Sequence, residues 1–420
     1  MRRRNGTNRR FARQGAIQVW VLVCLPVLLG MAALTIDGGR IMEERRNDQV
    51  IADAAALAGA SDLYMNYSTA KGTDLNGTAK AVAIQIANAN GISTGALTVN
   101  IPPLTGPFAG QPGYIEVVIR TEVDGSFSKS FTSSNVVVSA RSVARGLPMK
   151  IGMILLRPSG PDAFVNNGLA FAIVNSPLRV NSSDSAAYRQ ASVGAVVASQ
   201  IDLTGDYVNP GGAIMLGKIR KKVPPTPDPL AYLPVPDPEL LPLRESNQLV
   251  IDSNVPTSLL PGVYQGGIRI RHFSIVTMQP GVYIMQGGGF QVEDDATVVG
   301  SETMVYNSND AAHAAGPISV TTKGKVLMTA PMSGSYQGVS LFQHRGQANP
   351  ISISGNGLLT IAGLVYAPKA QANLATKATV GVDLVGGAYV VESATVNGLG
   401  SINIKIGQNQ PRIPDIRLVE

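Results

Sequence analysis

The sequence predicts a mainly β protein with an N-terminal transmembrane helix, in which a small α+β head is followed by a parallel β-helix (β-solenoid). Three observations support this fold class. The segment from Ala16 to Ile36 carries no charge over 21 residues, which is long enough to span a bilayer. Glycine (45 residues) and proline (27) are abundant and aromatic residues make up 5%, which favours short strands and turns over a helical bundle. The motif PGVY begins at Pro261 and again at Pro280, which predicts a repeat of 19 residues.

The charge distribution predicts how the chain sits in the membrane. Residues 1–13 hold six of the 34 basic residues and no acid, so the rest of the chain balances 28 basic against 28 acidic residues. A basic cluster directly before an apolar span is a topology signal, and it gives no support to nucleic-acid binding. We therefore expect residues 1–15 to be a cytoplasmic basic tail and residues 16–36 to be a single transmembrane helix of the cell inner membrane. The rest of the chain is then periplasmic or extracellular.

A cleaved secretory signal is the alternative interpretation of the same apolar segment. Signals have a shorter apolar region and a small-residue cleavage site, and no A-x-A site follows this segment directly. A retained anchor is therefore favoured. The one cysteine, Cys24, falls inside the span, so the sequence excludes an intrachain disulfide and cysteine chemistry outside the membrane.

Residues 37–147 have the pattern of a compact α+β head. Residues 37–64 lack proline and are rich in helix formers, so the helix is expected to continue beyond the span. A second helix is predicted at Thr78–Ala89. Strands are predicted where apolar and polar residues alternate, at Ala96–Ile101, Tyr114–Val123 and Val136–Arg145. A long apolar helix followed by such a head is the plan of a pilin-like protein.

Residues 148–410 alternate short apolar segments with Gly, Asn and Ser, which predicts the stacked coils of a β-solenoid. In this interpretation Val263 and Val282 of the two PGVY copies lie between stacked coils. The repeat is not strict, so a β-sandwich is the alternative. Residues 411–420 are predicted to be a C-terminal tail.

Residues 223–243 contain eight prolines, which cannot donate a backbone hydrogen bond, so this segment is neither a central strand nor a helix. We expect an extended excursion from the solenoid, with a proline-rich recognition motif as the alternative. Because such an excursion lies outside the core, the sequence predicts that it can be removed without loss of the fold.

Several ordered features mark the N-terminal segment: Gly15 after a basic stretch, the run LPVLLGMAAL, Asp37 just after the span, Arg40, and ADAAALAGA ending at Ala60. In these features the segment resembles the N-terminus of TadG-like proteins of the Tad/Flp pilus-assembly system. The resemblance implies a membrane-anchored assembly protein whose partners are inner-membrane lipid and other Tad-type envelope proteins.

Two further comparisons refine this resemblance. Type IV prepilins carry Glu five residues after the cleavage glycine, whereas the residue five after Gly15 is Trp20. Processing at Gly15 is therefore not expected, which favours an anchored accessory protein over a pilus subunit. The elements VNSS (Val180–Ser183), PGVY and SGNG (Ser354–Gly357) are similar to Gly/Asn-rich extensions that follow TadG-like N-termini, and they imply no activity.

Residues that carry enzyme chemistry are sparse in this sequence. His272, His313 and His344 have no metal-binding spacing. The triplet Glu293, Asp294 and Asp295 is the densest acidic spot, but adjacent strand residues point to opposite faces, so a solvated turn is expected. The glycines 287–289 lack the Lys and Ser/Thr of a phosphate-binding loop. We therefore predict no catalytic residue, no cofactor-binding residue, no metal ligand and no cofactor.

Three hypotheses about function follow. The first is a non-catalytic structural or assembly protein of a Tad/Flp-type pilus or envelope system. The second is an adhesin-like module whose solenoid face binds a surface ligand, such as a glycan, a protein or ice. The third is a β-helix polysaccharide lyase or hydrolase, which would need a groove lined with carboxylates, Lys or Arg. The anchor and the TadG-like segment favour the first, so the chain is predicted not to be an enzyme.

Overall fold

A computed structural model describes residues 14–124, 136–356, 358–376, 382–385, 387–405, 411 and 413–420. Almost all of the predicted basic tail, and Gly357 of the SGNG element, lie outside the described residues. The chain forms two compact units. The first comprises the chain up to Met149 together with Pro414–Glu420, and the second comprises Lys150–Ile413.

The first unit combines helices with a four-stranded antiparallel sheet. Its helices are α1 (Gln14–Met65), α2 (Tyr67–Ala70) and α3 (Thr78–Ala89), and its first three strands are β1 (Leu97–Asn100), β2 (Tyr114–Val123) and β3 (Val136–Pro148). Strand β2 lies between β1 and β3 in the sheet. The predicted second helix and the three predicted strands are confirmed.

Helix α1 serves two environments along its length. Its large apolar side chains from Trp20 to Ile36 are exposed, as expected of side chains that face lipid. It is the one helix in the described part of the chain that is long and apolar enough to cross a membrane, and it fits a single-pass anchor. Farther along, its alanines are buried against the head, and Ala79, Ala83 and Ala87 of α3 complete the small-residue contact.

Small residues set how closely α1 approaches the sheet. A Cβ atom on Gly146 of β3 would lie 2.0 Å from the Ala60 carbonyl oxygen, and one on Gly59 would lie 2.4 Å from the Ile115 side chain. Larger residues at these two glycines would therefore force the helix away from the sheet.

One carboxylate in the head sheet is buried and accepts four hydrogen bonds. The donors to Glu116 are Asn100 Nδ2, the Leu104 amide, Thr105 Oγ1 and Arg141 Nε, at 2.7–3.2 Å. Burial raises the pKa of Glu116, but the hydrogen bonds outweigh burial and lower the pKa to about 2. The charged form of Glu116 is therefore part of the folded head.

The described residues of the second unit form 26 strands that pair in one parallel sheet. The strands before the proline-rich segment are β4 (Met153–Leu155), β5 (Phe164–Asn166), β6 (Ala170–Val180), β7 (Tyr188–Gln190), β8 (Ala195–Leu203), β9 (Tyr207–Val208) and β10 (Met215–Lys221). The strands after it are β11 (Leu243–Glu245), β12 (Leu249–Ile251), β13 (Thr257–Leu259), β14 (Gly262–Gln265), β15 (Ile268–Ile270), β16 (Ile275–Met278), β17 (Gly281–Gln286), β18 (Phe290–Val292), β19 (Thr297–Gly300), β20 (Thr303–Ser308), β21 (Ile318–Val320), β22 (Val326–Thr329), β23 (Val339–Gln343), β24 (Ile351–Gly355), β25 (Leu359–Ala362), β26 (Leu364–Thr376), β27 (Val382–Val385), β28 (Ala388–Asn397) and β29 (Ser401–Lys405).

These strands form about ten coils, and the coils do not stack in chain order. We number them by position: coils 1 to 5 are β11–β13, β14–β16, β17–β19, β20–β22 and β23–β25, coil 6 is β26–β27 and coil 7 is β28–β29. The next coil in space comes from the start of the unit. Strands β4, β5 and the first half of β6 stack on β28 and β29 as coil 8. Coils 9 and 10 follow, and β10 forms the last rung.

The interior of the solenoid is a ladder of large apolar side chains. One row runs through β12, β15, β18, β21 and β24 as Leu249, Ile268, Phe290, Ile318 and Ile351. In coils 8 to 10 the same row is aromatic: Phe164 and Tyr188 have ring centroids 5.0 Å apart, and Tyr207 follows at 6.3 Å. The predicted fold class, including the parallel β-solenoid, is confirmed.

The 19-residue motif offset does not set the register of the coils. Val263 pairs with Ile284, which is 21 residues later, and the two PGVY valines are not partners. Neither Val263 nor Val282, which were predicted to lie between stacked coils, is part of the interior ladder: both belong to the outward-facing set of their strands, where Val263 is buried and Val282 is half-buried. The interior residues are the tyrosines Tyr264 and Tyr283, whose rings stack at 6.1 Å.

The end of the described chain returns to the first unit. Strand β30 (Pro414–Leu418) pairs antiparallel with β3, with Gly146 opposite Ile416, so the whole second unit is inserted between two neighbouring strands of the head sheet. The C-terminal tail predicted for residues 411–420 therefore contains a strand, which the sequence does not reveal because one five-residue strand whose partner lies far away in the sequence leaves no local pattern.

We expect the stability of the head to fall as the pH drops from about 4.5 to about 2, because the stabilisation from a carboxylate with a lowered pKa is lost as it is protonated. Glu116→Gln should lower the thermal midpoint of the full-length protein at pH 7 and flatten its decline in that acid window. The exposed Glu239→Gln is the control. A variant whose pH profile parallels that of the unchanged protein would contradict this role for Glu116.

We expect Tyr283→Ala to destabilise the solenoid by about 3–5 kcal/mol, because it opens a cavity in the ladder. It also removes a hydroxyl whose single proton is shared between the Leu259 and Gln279 carbonyl oxygens, at 2.9 and 2.8 Å. Val282→Ala, next in the chain but half-buried on the outer side, should cost only about 1 kcal/mol. Denaturant unfolding of both variants measures the difference, and equal losses would argue against this assignment of inner and outer faces.

Candidate functional site

The proline-rich segment 223–242 is a strap that joins opposite ends of the solenoid. It leaves β10, on the last rung beyond coil 10, and enters β11 of coil 1. Ten strand-to-strand steps separate this last rung from β11, or about 48 Å at the usual strand spacing. Twenty residues in a polyproline conformation reach about 62 Å, so the strap has the length to run along the stack.

Hydrogen bonds fasten the strap to several coils on its way. In coil 9, the Asn181 side chain donates to the Thr226 carbonyl at 2.7 Å and accepts from the Thr226 amide at 2.9 Å. In coil 6, the Tyr366 hydroxyl donates to Asp228 at 2.7 Å. These contacts lie on coils that are distant in the sequence but close in the stack.

Arg345 of coil 5 is the most connected of the strap contacts. Its Nη2 donates to the carbonyls of Leu230 and Leu233, at 3.0 and 2.6 Å, and its Nε donates to the Tyr366 hydroxyl at 3.0 Å. The guanidinium also lies over the rings of Phe342 and Tyr366, at 5.5 and 5.4 Å from their centroids. One side chain therefore joins the strap to two coils.

The strap covers an apolar stripe on the outside of the solenoid. Phe342 and Tyr366 pair across coils 5 and 6, face away from the interior ladder and are nevertheless fully buried. Leu230 and Leu233 of the strap are buried as well. Burial raises the pKa of the Tyr366 hydroxyl, and the Asp228 carboxylate beside it raises the pKa further. Tyr366 is therefore a neutral hydrogen-bond donor at physiological pH.

A groove of about 450 Å³ lies beside the strap where coils 6 to 9 meet it. Its wall includes four ionisable side chains, Arg157, Asp228, Lys369 and Glu392, and prolines of the strap. Arg157 Nη2 donates to Ser393 Oγ at 3.2 Å. With both charge signs and a proline wall, the groove can hold a polar ligand or an extended peptide by hydrogen bonds and ion pairing. Nothing in the sequence pattern singled out these residues, since the groove exists only when coils 7 and 8 stack.

The predicted acidic spot is a corner between β18 and β19. Glu293 accepts from Arg269 at 2.8 Å, and the Asp294 carboxylate accepts from the His272 amide at 3.2 Å. Asp294 has a φ of +54°, and its carbonyl accepts from the Lys323 amide of the next coil. The solvated turn expected from the sequence is what the structure has at this corner.

The three histidines lie in three different coils. His272 pairs with Asp252, and His313 Nδ1 lies 3.0 Å from Asp310. His344 Nδ1 accepts from the Gly346 amide at 3.2 Å within its own turn. Among the described residues, no group of three or more His, Cys, Asp or Glu side chains is arranged to hold a metal ion.

Comparison with known proteins identifies the N-terminal segment. Residues 15–62, which cover most of helix α1, match the Tad family of Flp pilus-assembly TadE/G-like proteins. The resemblance predicted from this segment is confirmed, and a β-solenoid occupies the C-terminal region. No curated protein and no solved structure matches the chain.

The expectation that residues 223–243 can be removed is contradicted by the order of the coils, because a short bridge cannot span about 48 Å. We expect a chain with these residues replaced by a six-residue Gly/Ser bridge to lose the packing of coils 1 and 2, whereas a Gly/Ser strap of unchanged length should keep it. Limited proteolysis and near-UV circular dichroism distinguish the two. A natively folded short-bridge variant would refute the role of the strap.

Proposed function

We propose that this protein is a membrane-anchored, extracytoplasmic, non-catalytic component of a Tad/Flp-type pilus or envelope system. The observation that carries the proposal is the continuity of helix α1. Its first half fits a membrane anchor, its second half forms the core of the head, and the family match at residues 15–62 extends over both.

Charge and family support the orientation and the partners in this proposal. The six arginines in residues 1–13 favour a cytoplasmic N-terminus under the positive-inside rule, which leaves the head and the solenoid outside the cytoplasm. A Tad-family match suggests association with other pilus-assembly proteins. The head, built directly on the membrane helix, is the unit that we propose docks with them.

The runner-up is an adhesin-like binding module, and one row of side chains favours it. The outward residues of successive coils 3 to 7 are Gln291, Ser319, Ser352, Asn373 and Thr395, which pair rung by rung. Small polar groups repeated at the strand spacing of about 4.8 Å form a flat face that can match a regular ligand such as a glycan chain. In the proposal this face serves as a rigid extension or binding surface.

A polysaccharide lyase or hydrolase finds less support. Glu293 and Asp294 form corner hydrogen bonds in coil 3, and the described carboxylates of the groove, Asp228 and Glu392, lie beside prolines of the strap. A non-catalytic role therefore accounts for the ionisable residues as turn and strap contacts.

We expect loss of this protein to impair appendage formation or surface attachment, and a copy with Asp294→Asn and Asp295→Asn to restore both. Electron microscopy measures appendage formation, and an attachment assay measures surface attachment. For the orientation, we expect an epitope at Glu420 to be accessible to protease added to spheroplasts. A control copy with Leu22→Arg and Leu29→Arg, which breaks the apolar span, should fail to restore. Cleavage of a cell-envelope polysaccharide by the purified full-length protein, abolished by the double Asn substitution, would replace this proposal with the enzyme hypothesis.

A further inference from the structure

The groove beside the strap runs along the axis of the stack. Four residues of its wall come one from each of four neighbouring coils, at the same corner of each coil: Lys369 (coil 6), Glu392 (coil 7), Arg157 (coil 8) and Asn181 (coil 9). Four neighbouring coils cover three strand-to-strand steps, or about 14 Å. The groove therefore has the length to hold several residues of an extended chain that lies beside the strap.

Three charged side chains stand in this wall at successive coils, and their charges alternate in sign. From coil 6 to coil 8 the order is Lys369, Glu392 and Arg157. In the part of the chain that the structure describes, the exposed Lys369 ammonium and the half-buried Glu392 carboxylate form no hydrogen bond and no ion pair. Arg157 donates through its two Nη atoms to Ser393 Oγ at 3.2 Å and to the Pro161 carbonyl at 3.4 Å. Charges on neighbouring coils that do not pair with each other are available to a ligand.

The strap adds hydrogen-bond acceptors to the groove, but its carboxylate is already engaged. The two Asp228 oxygens accept from the Leu230 amide at 2.9 Å and from the Tyr366 hydroxyl at 2.7 Å. Pro225 and Pro227 have no N–H, and their carbonyl oxygens accept no hydrogen bond from the described residues. A ligand in the groove therefore meets free backbone acceptors on the strap and free charges on the coils.

The spacing of the two cations selects the conformation of the ligand. Lys369 and Arg157 are two strand-to-strand steps apart, or about 9.6 Å. A polyproline helix rises about 3.1 Å per residue with three residues per turn, so residues i and i+3 lie on one face about 9.3 Å apart. In a β-strand, residues on one face are about 6.8 Å or about 13.6 Å apart, and neither distance matches the two cations. An acidic pair at i and i+3 of a polyproline helix matches them.

We propose that the groove binds a peptide in the polyproline conformation that carries acidic side chains at positions i and i+3 and a basic side chain between them. The acidic pair contacts Lys369 and Arg157, and the basic side chain contacts Glu392. Backbone N–H groups of the peptide donate to the Pro225 and Pro227 carbonyls. This binding site goes beyond the proposed docking of the head, because all of its residues belong to the second unit.

The test is the fluorescence anisotropy of labelled peptides titrated with the full-length protein in detergent. The matched probe has the sequence Pro-Asp-Pro-Lys-Asp-Pro, with blocked ends, and places its two acids at i and i+3. The control probe, Pro-Asp-Lys-Asp-Pro-Pro, has the same composition but places the acids at i and i+2. We expect the matched probe to bind about tenfold more tightly, because only its carboxylates reach both cations, and to bind more weakly as salt is added.

Charge variants locate the contact in the groove. Lys369→Glu should weaken binding of the matched probe about tenfold, because attraction becomes repulsion. One of the two probes in which a single Asp is replaced by Lys should recover that loss with this variant. Glu392→Lys should also weaken binding of the matched probe, whereas Lys325→Glu, an exposed substitution in coil 4, is the matched control and should leave it unchanged.

Three results would overturn the proposal: no binding of the matched probe, equal binding of the two spacings, or full binding by the Lys369→Glu protein. Polygalacturonate tests the other class of ligand that the same charges could attract. If it binds in a manner that Lys369→Glu abolishes while the matched probe does not bind, the groove takes an anionic polysaccharide and the peptide proposal is wrong.

Discussion

The structure depends on one parallel joint in the middle of the solenoid, between coils 7 and 8. There Val390 pairs with Ile154, Thr395 with Val165, and Ile404 with Ile173, so two strands of the late chain, β28 and β29, meet three strands of the early chain, β4, β5 and β6. This pairing joins the stack of coils 1 to 7 to the stack of coils 8 to 10. One hydrophobic core then runs through both stacks, and one open edge of each stack is buried. Without it, both segments would expose apolar rungs, which is costly for a repeat protein whose stability is a sum of neighbouring interfaces.

Two other features follow from this joint. The chain must travel from coil 10 to coil 1, so a long connection is unavoidable, and the strap provides it while covering Phe342 and Tyr366. The chain also enters and leaves the solenoid at neighbouring coils, which lets β30 return to β3 in the head sheet. Contacts such as Asn181 with Thr226 and Arg345 with Leu230 link distant parts of the sequence, so each of them closes a long loop at an entropic cost.

The surfaces of the head and of the solenoid differ, and each suits a different role. The head buries a small-residue face of α1 and keeps that helix continuous with its apolar segment, which suits a unit held at a membrane. The solenoid repeats one set of polar rungs along its length and closes a charged groove beside its strap. A repeated face and a groove are features of binding and scaffolding, and residues 15–62 of the anchor and head match the family of Flp pilus-assembly TadE/G-like proteins.

The sequence by itself determined the elements that depend on local pattern: the apolar span, the helix at Thr78–Ala89, the three head strands and the solenoid class. Each is set by short-range periodicity or by turn residues. Tertiary structure decided the order of the coils, the 21-residue step from Val263 to Ile284, the strap contacts of Arg345 and the pairing of β30. These choices depend on which apolar rungs meet across the stack. Many coils present similar rungs, so the pairing energy that selects one order is not encoded in any single segment.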